Sequence, residues 1–268
     1  MIVKCEELDI LKPLIKRAGQ AVLKYYGHAG EVQYKEQNDS PVTRADLASQ
    51  EIIIGGLAQF GYPVLSEEKT DDMARLQSRR VWIIDPLDGT KDFLQNTSEF
   101  SIMIGLVEDG RPILGTVYQP ASDILYYAKR GTGAYREQGD GLPMRLKVSD
   151  ETKFQSVRLL VSRHHLLPAE IEVAKQLSIT KISPCGSAGV KIGWIAAGQA
   201  ELYINSSDKT GEWDTCAAEC IIWEAGGRMT DRDGNMLQYN KEVPKNLNGF
   251  VVSNGGIHQY VIDELQSI

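Results

Sequence analysis

The chain has 268 residues, a hydrophobic content of 42 % and a formal net charge of −7. That is enough to bury a sizeable core in one large domain or two packed lobes. The acidic balance argues against a duplex nucleic-acid binder held by phosphate contacts, but a small anionic substrate stays open, because a bound metal reverses the local sign.

The N-terminus, MIVKCEELDILKPL, carries acids and no long apolar run, which predicts neither a signal peptide nor a membrane span. Leu8, Leu11, Leu14, Ile15, Ala18, Ala21, Val22 and Tyr25 recur at helical spacing and predict a packing helix over 7–26, ended by Gly27 and Gly30. A short strand is expected around Val32, Gln33 and Tyr34. In the segment Ser40-Pro41-Val42-Thr43-Arg44-Ala45-Asp46-Leu47, Thr43 and Asp46 have the spacing of a capping box. Taken alone, Asp46 reads first as a cap or a dipole partner. The helix should run to Phe60, stop at Gly61, and give way to a short strand over 63–68 ending in Glu67 and Glu68. A surface charge pair is the plain reading of those two acids. Against it stands their position at the end of a sheet strand, a short helix before Asp85.

The most informative stretch is Trp82-Ile83-Ile84-Asp85-Pro86-Leu87-Asp88-Gly89-Thr90-Lys91-Asp92-Phe93. It reads as a buried strand from Val81 to Ile84 that ends in two carboxylates and turns into a helix. Ligands gather at the carboxyl ends of strands in α/β sheets. Pro86 stiffens the turn, Gly89 lets backbone approach a ligand, and Thr90 opens a helix whose first N–H groups can hold an anion. Two carboxylates beside an anion cradle would repel a phosphate unless a cation lies between them, so the stretch points to Mg²⁺ plus a phosphate.

Alternating segments follow at 100–107, 113–118, 124–127, 133–135 and 146–148, separated by turn signals, and predict an antiparallel meander. Composition shifts near Ser149-Asp150-Glu151, a candidate boundary between a lobe over 1–150 and a lobe over 151–268 of one catalytic unit. The second lobe should hold a strand over 157–161, the segment Ser162-Arg163-His164-His165, a helix over 168–177, a strand at 181–182 and a glycine-rich lead into a helix at Gly186-Ser187-Ala188-Gly189-Val190-Lys191. A strand over 201–204, the segment Glu212-Trp213-Asp214-Thr215, a helix to Ala225 capped by Gly226-Gly227, strands over 227–230 and 249–253 and a last helix from His258 complete it. Cys5, Cys185, Cys216 and Cys220 lack zinc-ligand spacing, and Cys216 and Cys220 read as free core thiols on one helix. Reduced thiols fit a cytoplasmic protein. The element order predicts a layered α/β architecture.

Glu67, Asp85, Asp88 and Asp214 each lie where a strand ends or a helix begins, so all four could approach one point; Asp214 alone would be read as a cap. Two metal ions about 4 Å apart can serve the attacking and leaving oxygens of a phosphate ester together. Asp85 could be shared between them. Thr90 could take a proton from the water, with Asp46 orienting its hydroxyl.

The stretch WIIDPLDGTKDF, with the upstream SEE and the downstream EWDTCAAE and EAGG, resembles the inositol monophosphatase superfamily over essentially the whole chain. The resemblance implies an αβαβα sandwich and a Mg²⁺-dependent, Li⁺-sensitive phosphatase with two or three ions per site. It implies metal ligands at Glu67, Asp85, Asp88, Asp214 and the carbonyl of Leu87, a water-activating pair at Asp46 and Thr90, and phosphate held by the N–H groups of Gly89 and Thr90. Within the superfamily, three details are similar to the 3'(2'),5'-bisphosphate nucleotidases, which convert 3'-phosphoadenosine 5'-phosphate to AMP: the Ser162–His165 segment (His164 departing from the usual Ser), the loop ending in Lys191, and the C-terminal pattern from WDTCAAE onward. That resemblance implies nucleotide contacts from Ser162 and His165, with Ser187 and Lys191 near the 5'-phosphate. Without it, Lys191 is equally a surface lysine and His165 a loop histidine. The alternative is an inositol-1-phosphatase, which places a Glu after the strand preceding WD; here Asn205 stands there. Histidinol-phosphate and fructose-1,6-bisphosphate phosphatases stay open, as does a metal- or nucleotide-binding protein without catalysis. Many relatives form homodimers; no nucleic-acid polymer partner is expected.

Overall fold

The computed structural model describes residues 6–28, 33–34 and 41–267. Cys5, Gly30, Val32 and Ser40, each given a place above, lie outside the described residues.

The elements run in chain order as α1 (Glu6–Leu23), β1 (Gln33–Tyr34), β2 (Pro41–Val42), α2 (Arg44–Leu57), β3 (Val64–Ser66), β4 (Arg80–Asp88), α3 (Thr90–Leu94), β5 (Ser101–Glu108), β6 (Arg111–Gln119), β7 (Ile124–Lys129), β8 (Ala134–Gln138) and β9 (Met144–Arg145). Then follow β10 (Arg158–Ser162), α4 (Pro168–Gln176), β11 (Lys181–Cys185), α5 (Ala188–Ala196), β12 (Leu202–Asn205), α6 (Cys216–Glu224), β13 (Arg228–Thr230), β14 (Phe250–Ser253) and α7 (His258–Gln266). One sheet has the order β3-β4-β5-β6-β7-β8-β9, the other β11-β10-β12-β14-β13, and β1 and β2 pair by themselves. The last strand of the meander is Met144–Arg145, not 146–148 as the alternation suggested. Leu146 and Val148 are buried instead in the core beneath.

The layering follows from the period of two along each strand. Val81 and Ile83 of β4 face a core shared with α5 and α6, while Trp82 and Ile84 face one shared with α1 and α2. In the second sheet, Tyr203 and Val252 join the α5–α6 core, and Leu202, Ile204 and Val251 join a third core with α4 and α7. The order of layers is therefore helix, sheet, helix, sheet, helix, as the resemblance implied. Cys216 and Cys220 are buried free thiols in the central core. Among the described residues no helix is long and apolar enough to cross a membrane.

Two features of this frame position the site. β3 runs parallel to β4, with Ser66 opposite Ile84, so Glu67 emerges beside Asp85. Gly105 of β5 stands opposite Gly115 of β6. A Cβ on Gly105 would run into the Cys216 sulfur, and one on Gly115 into the carbonyl of Ala217. Two bare backbones thus let α6 lie directly on the sheet, and the turn Glu212–Asp214 that precedes α6 reaches the end of β4.

Candidate active site

One carboxylate oxygen from each of Asp85, Asp88 and Asp214 lies within 4.8 Å of the other two. Asp85 is 1 % exposed. Its Oδ1 accepts from the Leu87 N–H at 3.0 Å, whereas Oδ2 is buried with no hydrogen-bond partner. Burial first, then the charges of Glu67, Asp88 and Asp214, push this carboxyl well above the usual range. A buried, unpartnered oxygen among like charges is costly unless a cation sits there. The residues present therefore fit a hard divalent ion with oxygen ligands. Glu67 is outside the tight triple but close enough to bear electrostatically on both Asp85 and Asp46.

The capping box read from the sequence is present at the start of α2: Asp46 Oδ2 accepts from the Thr43 N–H at 2.7 Å and the Thr43 hydroxyl at 2.6 Å. Its other oxygen turns toward Thr90, 3.4 Å from Oγ1. The Thr90 hydroxyl also has the Leu87 carbonyl at 3.1 Å. Asp46 is 1 % exposed, and burial raises its carboxyl to about 6. Cap and Thr90 partner are thus one side chain with its two oxygens divided between the tasks. Gly89, at φ 88°, caps the short helix α3 and brings its first N–H groups next to the carboxylates.

Two segments from the later part of the chain, after β10 and before α5, lie toward this centre. The Ser162 hydroxyl accepts from the His165 N–H at 3.1 Å. Burial, then the charges of Lys91, His164, Lys209 and Lys191, lower the His165 pKa. The segment before α5 brings Ser187 onto Asp88. Lys191 is 1 % exposed, and its ammonium donates to the carbonyls of Cys185 (3.2 Å), Gly186 and Ser187 (3.1 Å), so these backbone groups hold it against the turn.

Sequence reasoning missed a polar network around Asp92. Arg163 donates through Nε to Asp92 at 3.0 Å and through Nη2 to Glu99. His164 Nε2 lies 3.0 Å from Asp92 without the alignment of a hydrogen bond. The signal was present, because Asp92 lies within the quoted motif and His164 is the one departure in its segment, but nothing local says that they meet. A cavity of about 410 Å³ opens elsewhere, between α1 and β7–β9, lined by Leu8, Tyr127, Tyr135 and Arg145. Among the described residues, the one group of acids placed to hold a metal is Asp85, Asp88 and Asp214.

The model of the inositol monophosphatase family matches residues 5–268. This chain belongs to that family. Among curated relatives, it is 36 % identical to the 3'(2'),5'-bisphosphate nucleotidase CysQ of Salmonella typhimurium over 236 residues, 87 % of this chain and 93 % of that protein. Among solved structures, the Thermotoga maritima IMPase superposes with a TM-score of 0.83 at 26 % identity, covering 98 % of each chain. CysQ from Bacteroides thetaiotaomicron superposes with a TM-score of 0.77 at 31 % identity, covering 92 % of this chain and 96 % of that one.

Proposed function

We propose that this family member is a Mg²⁺-dependent phosphatase that removes the 3'-phosphate of 3'-phosphoadenosine 5'-phosphate, yielding AMP and phosphate. The observation that carries the phosphatase reading is the unpartnered Asp85 oxygen within the triple of carboxylates, next to the Asp46–Thr90 pair. The nucleotide reading is supported by the likeness to CysQ proteins.

Asp85, Asp88, Asp214, Glu67 and the Leu87 carbonyl would hold the ions, which supply Lewis-acid charge to the phosphate oxygens and the attacking water. The chain's own part is orientation and proton handling. Asp46, locked by Thr43, accepts the Thr90 hydroxyl proton, which leaves the Thr90 oxygen to accept from the water. The N–H groups of Gly89 and Thr90 would face the phosphate. His165, with Lys91 and Lys209 near it, offers cationic surroundings for a second phosphate, and Ser162 holds the turn that carries His165.

The inositol phosphatase alternative has the likeness to the Thermotoga IMPase in its favour. Against it, the Asn205 side chain is committed to Tyr203 (3.1 Å) and to the Ser207 N–H (2.9 Å), and it supplies no carboxylate for inositol hydroxyls. Product identification separates the regiochemistry: phosphorus NMR of the completed reaction should show inorganic phosphate and AMP. Adenosine 3'-phosphate as product would overturn the assignment.

A further inference from the structure

Asp88 is held from a distant part of the chain. Its Oδ2 accepts from the Ser187 hydroxyl, from the Gly189 N–H at 2.8 Å and from the Ser101 hydroxyl at 3.3 Å. All three bonds go to one oxygen, and Oδ1 takes part in none of them. The first two reach across 99 and 101 residues, from the start of α5 to the end of β4. The nine-residue helix α5 also turns its positive end toward this carboxylate.

The turn before α5 is itself pinned. The Ser187 N–H donates to the Glu99 carbonyl at 3.1 Å, and the Gly186 N–H to the Glu99 carboxylate at 2.8 Å. From beneath, the Lys191 ammonium gathers the carbonyls of residues 185–187. The approach is so close that a Cβ on Gly186 would lie 2.6 Å from the Glu99 carbonyl and overlap the Asp92 carboxylate, and one on Gly189 would lie 2.6 Å from the Ser101 hydroxyl. Such contacts leave little freedom for the turn to serve a flexible ligand.

We propose, on the basis of the metal-site reading above, that this turn is a positioning element for Asp88. The Ser187 hydroxyl and the Gly189 N–H hold Oδ2 so that Oδ1 is left for the ion, and Lys191 braces the turn. Partners that orient a ligating carboxylate typically change metal affinity by 10–100-fold when removed. Because Gly189 and Ser101 remain, loss of Ser187 alone belongs at the lower end of that range.

The test is calorimetric titration of metal-free protein with Mn²⁺, with circular dichroism confirming the fold of each variant. Ser187→Ala should bind about tenfold more weakly, and Ser187→Thr, which keeps the donor, should bind like the wild type. Ser187 also caps α5 through the Val190 N–H at 3.0 Å, so melting temperature alone does not separate the roles. Should the alanine variant not fold, Ser187→Cys keeps the volume, donates weakly and should show the same loss. Lys191→Met should weaken Mn²⁺ binding too, because the turn that holds Asp88 loses its brace. Folded Ser187→Ala and Ser187→Cys proteins with wild-type Mn²⁺ affinity overturn the positioning role. A folded Lys191→Met protein with wild-type Mn²⁺ affinity overturns the bracing role. A wild-type protein that binds no Mn²⁺ overturns the metal-site reading itself.

Discussion

Replacing Asp85 by Asn should make the metal-free protein more stable and the enzyme inactive. The oxygens of Asp85, Asp88 and Asp214 lie within 4.8 Å of one another. At an effective dielectric constant near 20, each pair of unit charges at that distance repels by about 3 kcal/mol. Asn removes two such pairs and keeps an acceptor for the Leu87 N–H. In the wild type, burial and its acidic neighbours already favour protonation of Asp85, which relieves part of the repulsion. The net gain should therefore be about 2–4 kcal/mol, equivalent in a chain of this size to a rise in Tm of roughly 5–15 °C. Mg²⁺ reverses the order, because an ion at a hundred times its Kd adds about 2.7 kcal/mol to a protein that binds it. Melting curves at pH 8 in EDTA and in excess Mg²⁺ read both effects. The variant should melt above the wild type in EDTA and stay unmoved by Mg²⁺, with turnover down by roughly 10³-fold or more. An Asn variant that is less stable than the wild type in EDTA, and that shifts equally with Mg²⁺, would refute the reasoning.

Thr90→Ala should lose roughly 10²–10⁴-fold in kcat while keeping the Mg²⁺-induced rise in Tm; a wild-type kcat would remove Thr90 from proton handling. The acid limb of the pH–rate profile should fall near pH 6, where Asp46 takes up its proton, and the residual activity of Asp46→Asn should lack that limb. The same raised pKa links to stability: what Asp46 contributes is fully present below 3.8 and lost as pH rises through about 6. Asp46→Asn should therefore gain on the wild type between pH 4 and pH 7, and urea midpoints measured across that range check the sign. Arg111→Ala should destabilise by about 3 kcal/mol, because it takes the guanidinium from the Glu219 carboxylate, which is 1 % exposed and pushed up to about 7 by burial, and leaves it the Tyr239 hydroxyl. Adding Glu219→Gln should recover much of the lost Tm, and no recovery would point to packing and not charge.

The carboxylate side of the candidate site was legible because its signals are local. The glycine of the turn and the Thr43–Asp46 spacing act within a few residues, and α3 and the start of α2 form where they predict; β4 runs past its expected end at Ile84 to Asp88, because a bulge between Asp85 and Asp88 takes up Pro86 and lets pairing with β5 resume. Glu67 was expected at a strand end near Asp85, and the parallel pairing of β3 with β4 is what sets the two side by side. What stayed hidden depends on contacts between distant segments. Gly105 and Gly115 read as ordinary strand glycines until the register sets them opposite each other beneath α6. Lys191 carries a charge at the right end of a helix for an anion, but only the folded turn reveals that three carbonyls claim it. Asp92 and Arg163 are 71 residues apart, and no periodicity predicts their pairing. The last meander strand was misplaced because alternation marks burial, which Leu146 and Val148 have, and not hydrogen-bonded pairing.

The most direct measurement is phosphate release in excess Mg²⁺, side by side on 3'-phosphoadenosine 5'-phosphate and inositol 1-phosphate. A kcat/KM at least about a hundredfold higher for the nucleotide, equivalent to roughly 2.8 kcal/mol of transition-state discrimination, is the predicted result. Equal or greater efficiency on inositol 1-phosphate would keep the carboxylate centre and contradict the nucleotide assignment, and no release from either would contradict the phosphatase reading itself.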